Sequence, residues 1–164
     1  MDSGLAAFGR ARNDEMSTTT HASAVLIGAT AVLIRGASGA GKSRLAFALI
    51  NAQAQGLLRF SRLVGDDRVL LDACNGRLLV RPAPALAGLI ELRGLGIRRL
   101  PYEPVAILGL VVDLGASDAE RLPSREASRT EISGVLLPRL AVAPATDPLP
   151  LVVEYSSSPG MAGG

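Results

Sequence analysis

The chain has 164 residues, of which 48% are hydrophobic, 20% charged and only 3% aromatic, and its formal net charge is +2. That length and apolar share suit one domain with an aliphatic core, and so small a charge argues against a strong pull on nucleic acid. Cys74 is the only cysteine, which rules out an internal disulfide, and no apolar run approaches the ~20 residues that a bilayer crossing needs. The expectation is a cytoplasmic protein without nucleic-acid or membrane partners.

Residues 1–20 are polar and mixed in charge, with no apolar core of a secretory signal, and read as a flexible lead-in to a domain over 21–157. Ala24–Ile27 and Ala31–Ile34 are short apolar runs around Gly28-Ala29-Thr30, the pattern of two strands and a tight turn. From Ser43 to Gln55 the pattern predicts a helix. Leu45, Ala48, Leu49 and Ala52 recur at helical spacing, and Gly56 stands at its end. Leu63-Val64 reads as a short strand running into Gly65-Asp66-Asp67. Val69–Ala73 and Arg77–Arg81 flank Asn75-Gly76, a strong hairpin signal. Pro82 and Pro84 break the chain, Val105–Leu114 reads as a central strand with Asp113 near its end, and Leu149–Tyr155 reads as a last strand. Residues 158–164 read as a frayed tail. One strand–loop–helix unit among hairpin-like pieces predicts an α/β domain with a mixed sheet.

The most informative stretch is Gly36-Ala37-Ser38-Gly39-Ala40-Gly41-Lys42-Ser43, which fits the phosphate-binding P-loop pattern between a strand and a helix. Glycines let successive backbone N–H groups close around a phosphate, and the helix N-terminus adds its unpaired donors. Lys42, the only lysine, supplies a compact charge for the β- and γ-phosphates, and Ser43 a hydroxyl for Mg2+. Lys42 is expected to face solvent and to contribute little to packing.

Phosphoryl transfer also needs a metal-holding acid and a base. Asp66 and Asp67, one helix and one loop after the P-loop, are candidates for both roles, against the ordinary alternative of a solvated turn. Glu91-Leu92-Arg93-Gly94-Leu95-Gly96 puts an acid and an arginine beside a glycine-hinged turn. Glu91 is a candidate metal ligand and Arg93 a candidate phosphate contact, or the two form a charged surface rim. His21, the single histidine, precedes the first strand.

Taken in order, His21 before a strand pair, GASGAGKS, LVGDD, IELRGLGI and ILGLVVDL resemble the catalytic domain of the HPr kinase/phosphorylase family, from about His21 to Tyr155. The resemblance implies a fold like the P-loop core of bacterial phosphoenolpyruvate carboxykinase. It implies transfer of phosphate from ATP, with Mg2+, to a serine of an HPr-like phosphocarrier protein of a phosphotransferase system, and phosphorolysis in reverse. Carried over, Lys42 contacts phosphate and Ser43 and Glu91 hold Mg2+. One of Asp66 and Asp67 is the base, with Asp67 preferred, and His21 lies in the active site. Arg121 matches a catalytic arginine, with Arg125 as its rival. Three departures stand out. The family's usual N-terminal domain is expected to be absent, as in its short, single-domain alphaproteobacterial form. Residues 142–148 lack the arginines tied to the reverse reaction. The terminal helices of longer members are not evident, which bears on the family's hexameric homo-oligomer. A nucleotide-sensing regulatory module and a small-molecule kinase on the same core are the other readings.

Overall fold

The computed structural model describes residues 17–158. Among them the element order is β1 (Thr18–Thr20), β2 (Ser23–Ile27), β3 (Thr30–Arg35), α1 (Lys42–Ala54), β4 (Ser61–Gly65), β5 (Val69–Cys74), β6 (Arg77–Pro82), β7 (Leu89–Leu92), β8 (Gly96–Arg99), β9 (Ala106–Leu114), β10 (Arg129–Ile132), β11 (Val135–Val142) and α2 (Pro148–Ser157). The main sheet runs β1-β5-β6-β9-β3-β2-β4, with β7 and β8 forming a separate hairpin. It is mixed, because β9 lies parallel to β3 and antiparallel to β6.

Strand β9 organises the core. Its start pairs with β6 through Ala106 and Ile107, and its end pairs in parallel with β11 from Val111 to Leu114. The register against β3 shifts at Gly109, where Ala31 faces Leu108 and Val32 faces Leu110. An extra residue reverses the alternation of side chains. Ala106 and Leu108 therefore join one apolar layer, while Leu110, Val112 and Leu114 join the other. Strand β3 alternates between the same two layers, with Val32 and Ile34 beneath α1 and Ala31 and Leu33 on the opposite face. Leu45, Ala46, Leu49 and Ala52 of α1 complete the first layer.

The order β3-β2-β4 builds the floor of the site. Strand β2 is antiparallel to both neighbours, with Ser23 opposite Ile34 and Ala24 opposite Gly65. The end of β3, the start of β2 and the end of β4 thus meet at one sheet edge. The P-loop leaves from the first, His21 precedes the second, and Asp66-Asp67 follows the third.

Several elements differ from the sequence reading. Leu149–Tyr155 is helical, within α2, and not a strand. Asp147 caps it by accepting a hydrogen bond from Leu149 N–H at 3.1 Å, and Pro148 starts it. Leu149, Val152 and Val153 then pack on the layer under α1 at i, i+3 and i+4. A short apolar run with two valines suits a strand equally well by pattern, and only the core surface it meets decides between them. Thr18–Thr20, assigned to the lead-in, form β1 against β5; residues 1–16 and 159–164 of the lead-in and tail lie outside the described residues. The sequence reading assigns no element to the β10–β11 hairpin. Its turn is Ser133-Gly134, with φ of 51° and 80°, a weaker version of the Asn-Gly signal. No helix among the described residues is long and apolar enough to cross a membrane.

Candidate functional site

A cleft of about 490 Å3 opens at this sheet edge, lined by residues from the P-loop, α1, β2, the acid pair and the β7–β8 hairpin. Its base is the N-terminus of α1. Gly41 caps the helix with φ of 100°, a left-handed conformation that a side chain would strain, and no side chain covers the first N–H groups. The first turn holds no acid to compete for them, so the end favours an anion.

Lys42 is buried, at 8% exposure, and not solvent-facing as its sequence context suggests. Its Nζ donates to the carbonyl oxygens of Gly36 at 2.8 Å and Ala37 at 3.1 Å. The cation thereby ties down the loop that surrounds it. Arg93 reaches toward the same loop from the hairpin, and its Nη2 lies 3.8 Å from where a Cβ on Gly39 would sit.

Asp66 and Asp67 are adjacent yet have different surroundings. Asp66 is buried, and its carboxylate accepts from Ser23 Oγ at 2.6 Å and from Ser43 Oγ at 2.8 and 3.0 Å. The backbone N–H of Glu91 adds a third donor at 3.2 Å. Asp67 turns out into the cleft with φ of 69°, in the left-handed region that Asp and Asn tolerate best among side chains. Its Oδ1 lies 2.8 Å from His21 Nε2, and both side chains are more than half exposed. A carboxylate can only accept, so His21 donates. The backbone contributes as well, through Ala22 N–H donating to the Asp67 carbonyl at 3.2 Å.

The cleft therefore gathers His21, Ser38, Gly39, Gly41, Lys42, Ser43, Asp67 and Glu91 along its walls, with Asp66 beneath Ser43 and Glu91. Gly36, Ala37 and Ala40 complete the loop. Arg121 and its rival Arg125 are exposed in the segment between β9 and β10 and are not among the lining residues. Ser23, Arg44 and Phe47 also line the cleft, residues that the sequence reading does not mark as functional, together with Leu92 and Leu95 of the Glu91–Gly96 stretch. Only Ser23 carried a signal, a hydroxyl in an otherwise apolar strand.

The donor set fits a nucleotide polyphosphate with Mg2+. Helix N–H groups, Lys42 and Arg93 offer positive charge around one anion. The Ser43 hydroxyl has committed its hydrogen to Asp66, which leaves its lone pairs for a cation, and the Glu91 carboxylate lines the same cleft. No group of three His, Cys, Asp or Glu suited to a metal occurs among the described residues. A cation held by one or two protein oxygens completes its shell with phosphate and water, as Mg2+ readily does.

Beneath the loop, Asp113 accepts from Arg35 at 2.7 and 2.8 Å and from Arg139 at 2.6 Å. Burial opposes ionisation of Asp113, but the hydrogen bonds and charges of Arg35 and Arg139 outweigh it and hold the carboxyl below the ordinary Asp value. Arg139 also donates to Asp118 at 2.8 and 3.0 Å and to the Ala127 carbonyl at 3.1 Å. The strand-end acid noted in the sequence is thus the centre of an ion cluster joining β3, β9 and β11.

A P-loop opening a helix on a mixed sheet, facing an acid pair at a neighbouring strand end, defines a P-loop α/β domain. The family model for the HPr Serine kinase C-terminal domain matches residues 14–101, more than half of the chain, and the chain belongs to that family. It is 34% identical over 140 residues to the HPr kinase/phosphorylase of Geobacillus thermodenitrificans, covering 77% of this chain and 42% of the relative. With the HPr kinase/phosphorylase of Limosilactobacillus reuteri it shares 35% identity over 150 residues, covering 84% of this chain and 44% of the relative. The chain thus spans less than half the length of these curated relatives. The solved Hpr(Ser) kinase/phosphatase of Coxiella burnetii has the same fold, with a TM-score of 0.67 at 24% identity over 84% of this chain and 87% of that one.

Proposed function

We propose that the chain is an ATP- and Mg2+-dependent protein serine kinase that acts in the cytoplasm on an HPr-like phosphocarrier. The observation that carries this reading is the convergence of the P-loop, the acid pair and Glu91 on one cleft. The P-loop amides and Lys42 bind the donor phosphates, and Lys42 exchanges its loop carbonyls for phosphate oxygens as they enter. Ser43 and Glu91 are the ligands for Mg2+, which, when bound, offsets the charge on the transferred group. Asp66 is engaged by three donors and orients Ser43.

Asp67 is the base. It is the exposed carboxylate of the pair and projects into the cleft. The acceptor serine loses its proton to Asp67 while its oxygen forms a bond to the γ-phosphorus, and the bond from that phosphorus to the β-bridging oxygen breaks to release ADP. His21 holds the Asp67 carboxylate in place and donates to it. Arg121 enters the proposal as the catalytic arginine that the resemblance implies, by the resemblance alone.

Incubation with γ-labelled ATP, Mg2+ and the HPr-type protein of the same genome tests the reading. Label on a carrier serine is expected. A folded protein that binds nucleotide yet labels no carrier would overturn it in favour of a nucleotide-sensing module, and label on sugars or nucleosides instead would identify a small-molecule kinase.

A further inference from the structure

Ser23 is fully buried at the start of β2 and donates to Asp66 Oδ1 at 2.6 Å. No other member of the polar cluster selects one oxygen of that carboxylate as clearly. Ser43 Oγ sits 2.8 Å from Oδ1 and 3.0 Å from Oδ2, nearly astride the two. The Glu91 N–H reaches Oδ2 at 3.2 Å, a longer contact. The terminal torsion of an Asp is broad, so a carboxylate held only by these groups could rotate between them. The Ser23 contact, at 2.6 Å, is the shortest hydrogen bond to that carboxylate and the tightest restraint on it.

We propose that Ser23 is a positioning residue for the divalent-cation site. By pinning Asp66 Oδ1 it sets the plane of the carboxylate, and through it the direction of the one hydroxyl hydrogen of Ser43. With that hydrogen committed to Asp66, both Ser43 lone pairs face the cleft, where a cation can use them. Released from it, the hydroxyl can turn its hydrogen toward a phosphate oxygen and present a poorer ligand. The fold makes the arrangement possible, because Ser23 lies opposite Ile34, two residues before the P-loop begins, and the neighbouring Ala24 lies opposite Gly65. The inference rests on the reading of the cleft as a nucleotide–metal site.

The test compares Ser23→Val with Ser23→Thr, which have the same shape and differ in the hydroxyl. Mn2+ is titrated by electron paramagnetic resonance into protein saturated with ADP, and affinity for a fluorescent ADP is measured separately in EDTA. S23V is expected to weaken Mn2+ by about tenfold, the low end for an outer-shell partner, while metal-free nucleotide affinity stays within about twofold. S23T is expected to restore the Mn2+ affinity. Unchanged Mn2+ binding in S23V, a parallel loss of metal-free nucleotide affinity, or an S23T variant as weak as S23V would each overturn the proposal. Should S23V fail to fold, Ser23→Ala carries the same measurement, and failure of both to fold would make Ser23 a structural residue only and overturn it equally. A wild-type protein that binds neither ADP nor Mn2+ would instead remove the reading of the site itself.

Discussion

The ammonium of Lys42 is bound to the carbonyl oxygen of Gly36, the first residue of its own P-loop, at 2.8 Å. Lys42 therefore shapes the loop as well as charging it. Lys42→Ala is expected to abolish most phosphoryl transfer and to cost about 2 kcal/mol of stability, the scale of a lost hydrogen bond to a charged group, because the ammonium holds the carbonyls of both Gly36 and Ala37. Urea unfolding and transfer of labelled phosphate check the two effects separately. A variant as stable as wild type would show that water replaces the ammonium at no cost.

Asp67→Asn separates the two acids. Asn tolerates positive φ as well as Asp does, so the fold and nucleotide affinity should persist. Transfer should fall by about 10²- to 10⁴-fold, the usual contribution of a general base. Asp66→Asn should instead lower stability and divalent affinity together, because Ser23, Ser43 and the Glu91 N–H all donate to that carboxylate. Full transfer by D67N would move the base elsewhere.

Gly65 precedes the acid pair and has no room for a side chain. A Cβ there would lie 2.8 Å from Val69 Cγ1 and 3.1 Å from the backbone Cα of Pro82. Gly65→Ala should push the end of β4 away from β5 and β6, costing about 1–3 kcal/mol, and shift Asp66 and Asp67 with it. Thermal unfolding and transfer rate should both fall. A loss of stability with an unchanged rate would show that the acids hold their positions independently of β4.

Asp113 has a depressed folded-state pKa, held down by Arg35 and Arg139 against burial. Its stabilisation is therefore complete above the ordinary Asp value near pH 4 and is lost as pH falls through the lower folded value. Asp113→Asn should cost about 2 kcal/mol at pH 7, the scale of a lost hydrogen bond to a charged group, with the gap narrowing in acid below about pH 4. Unfolding curves from pH 7 to pH 2 check both the size and the sign. A gap that widens in acid would contradict the depressed value.

Much of the site was readable in the chain because its parts are local. The P-loop is contiguous, the helix after it has an unbroken 3.6-residue pattern, and the hairpin at Asn75-Gly76 is set by its turn residues. The division of labour within Asp66-Asp67 was not readable. The two differ by burial, and burial depends on Ser23 and Glu91, 43 and 25 residues away from Asp66. The same limit applied to α2, whose apolar run fits either period until the surface it covers is known.

Sequence by itself determined that a phosphate cradle with one lysine stands between a strand and a helix, since backbone permissiveness at glycine and helical periodicity are properties of neighbouring residues. Tertiary structure alone decided which acid is buried and which faces the cleft, and that Lys42 is a buried tether. It also decided that Asp113 bridges Arg35 and Arg139 across three strands. Those outcomes depend on which strand lies beside which, and strand order follows from long-range packing of two apolar layers on β9, not from any short stretch of chain.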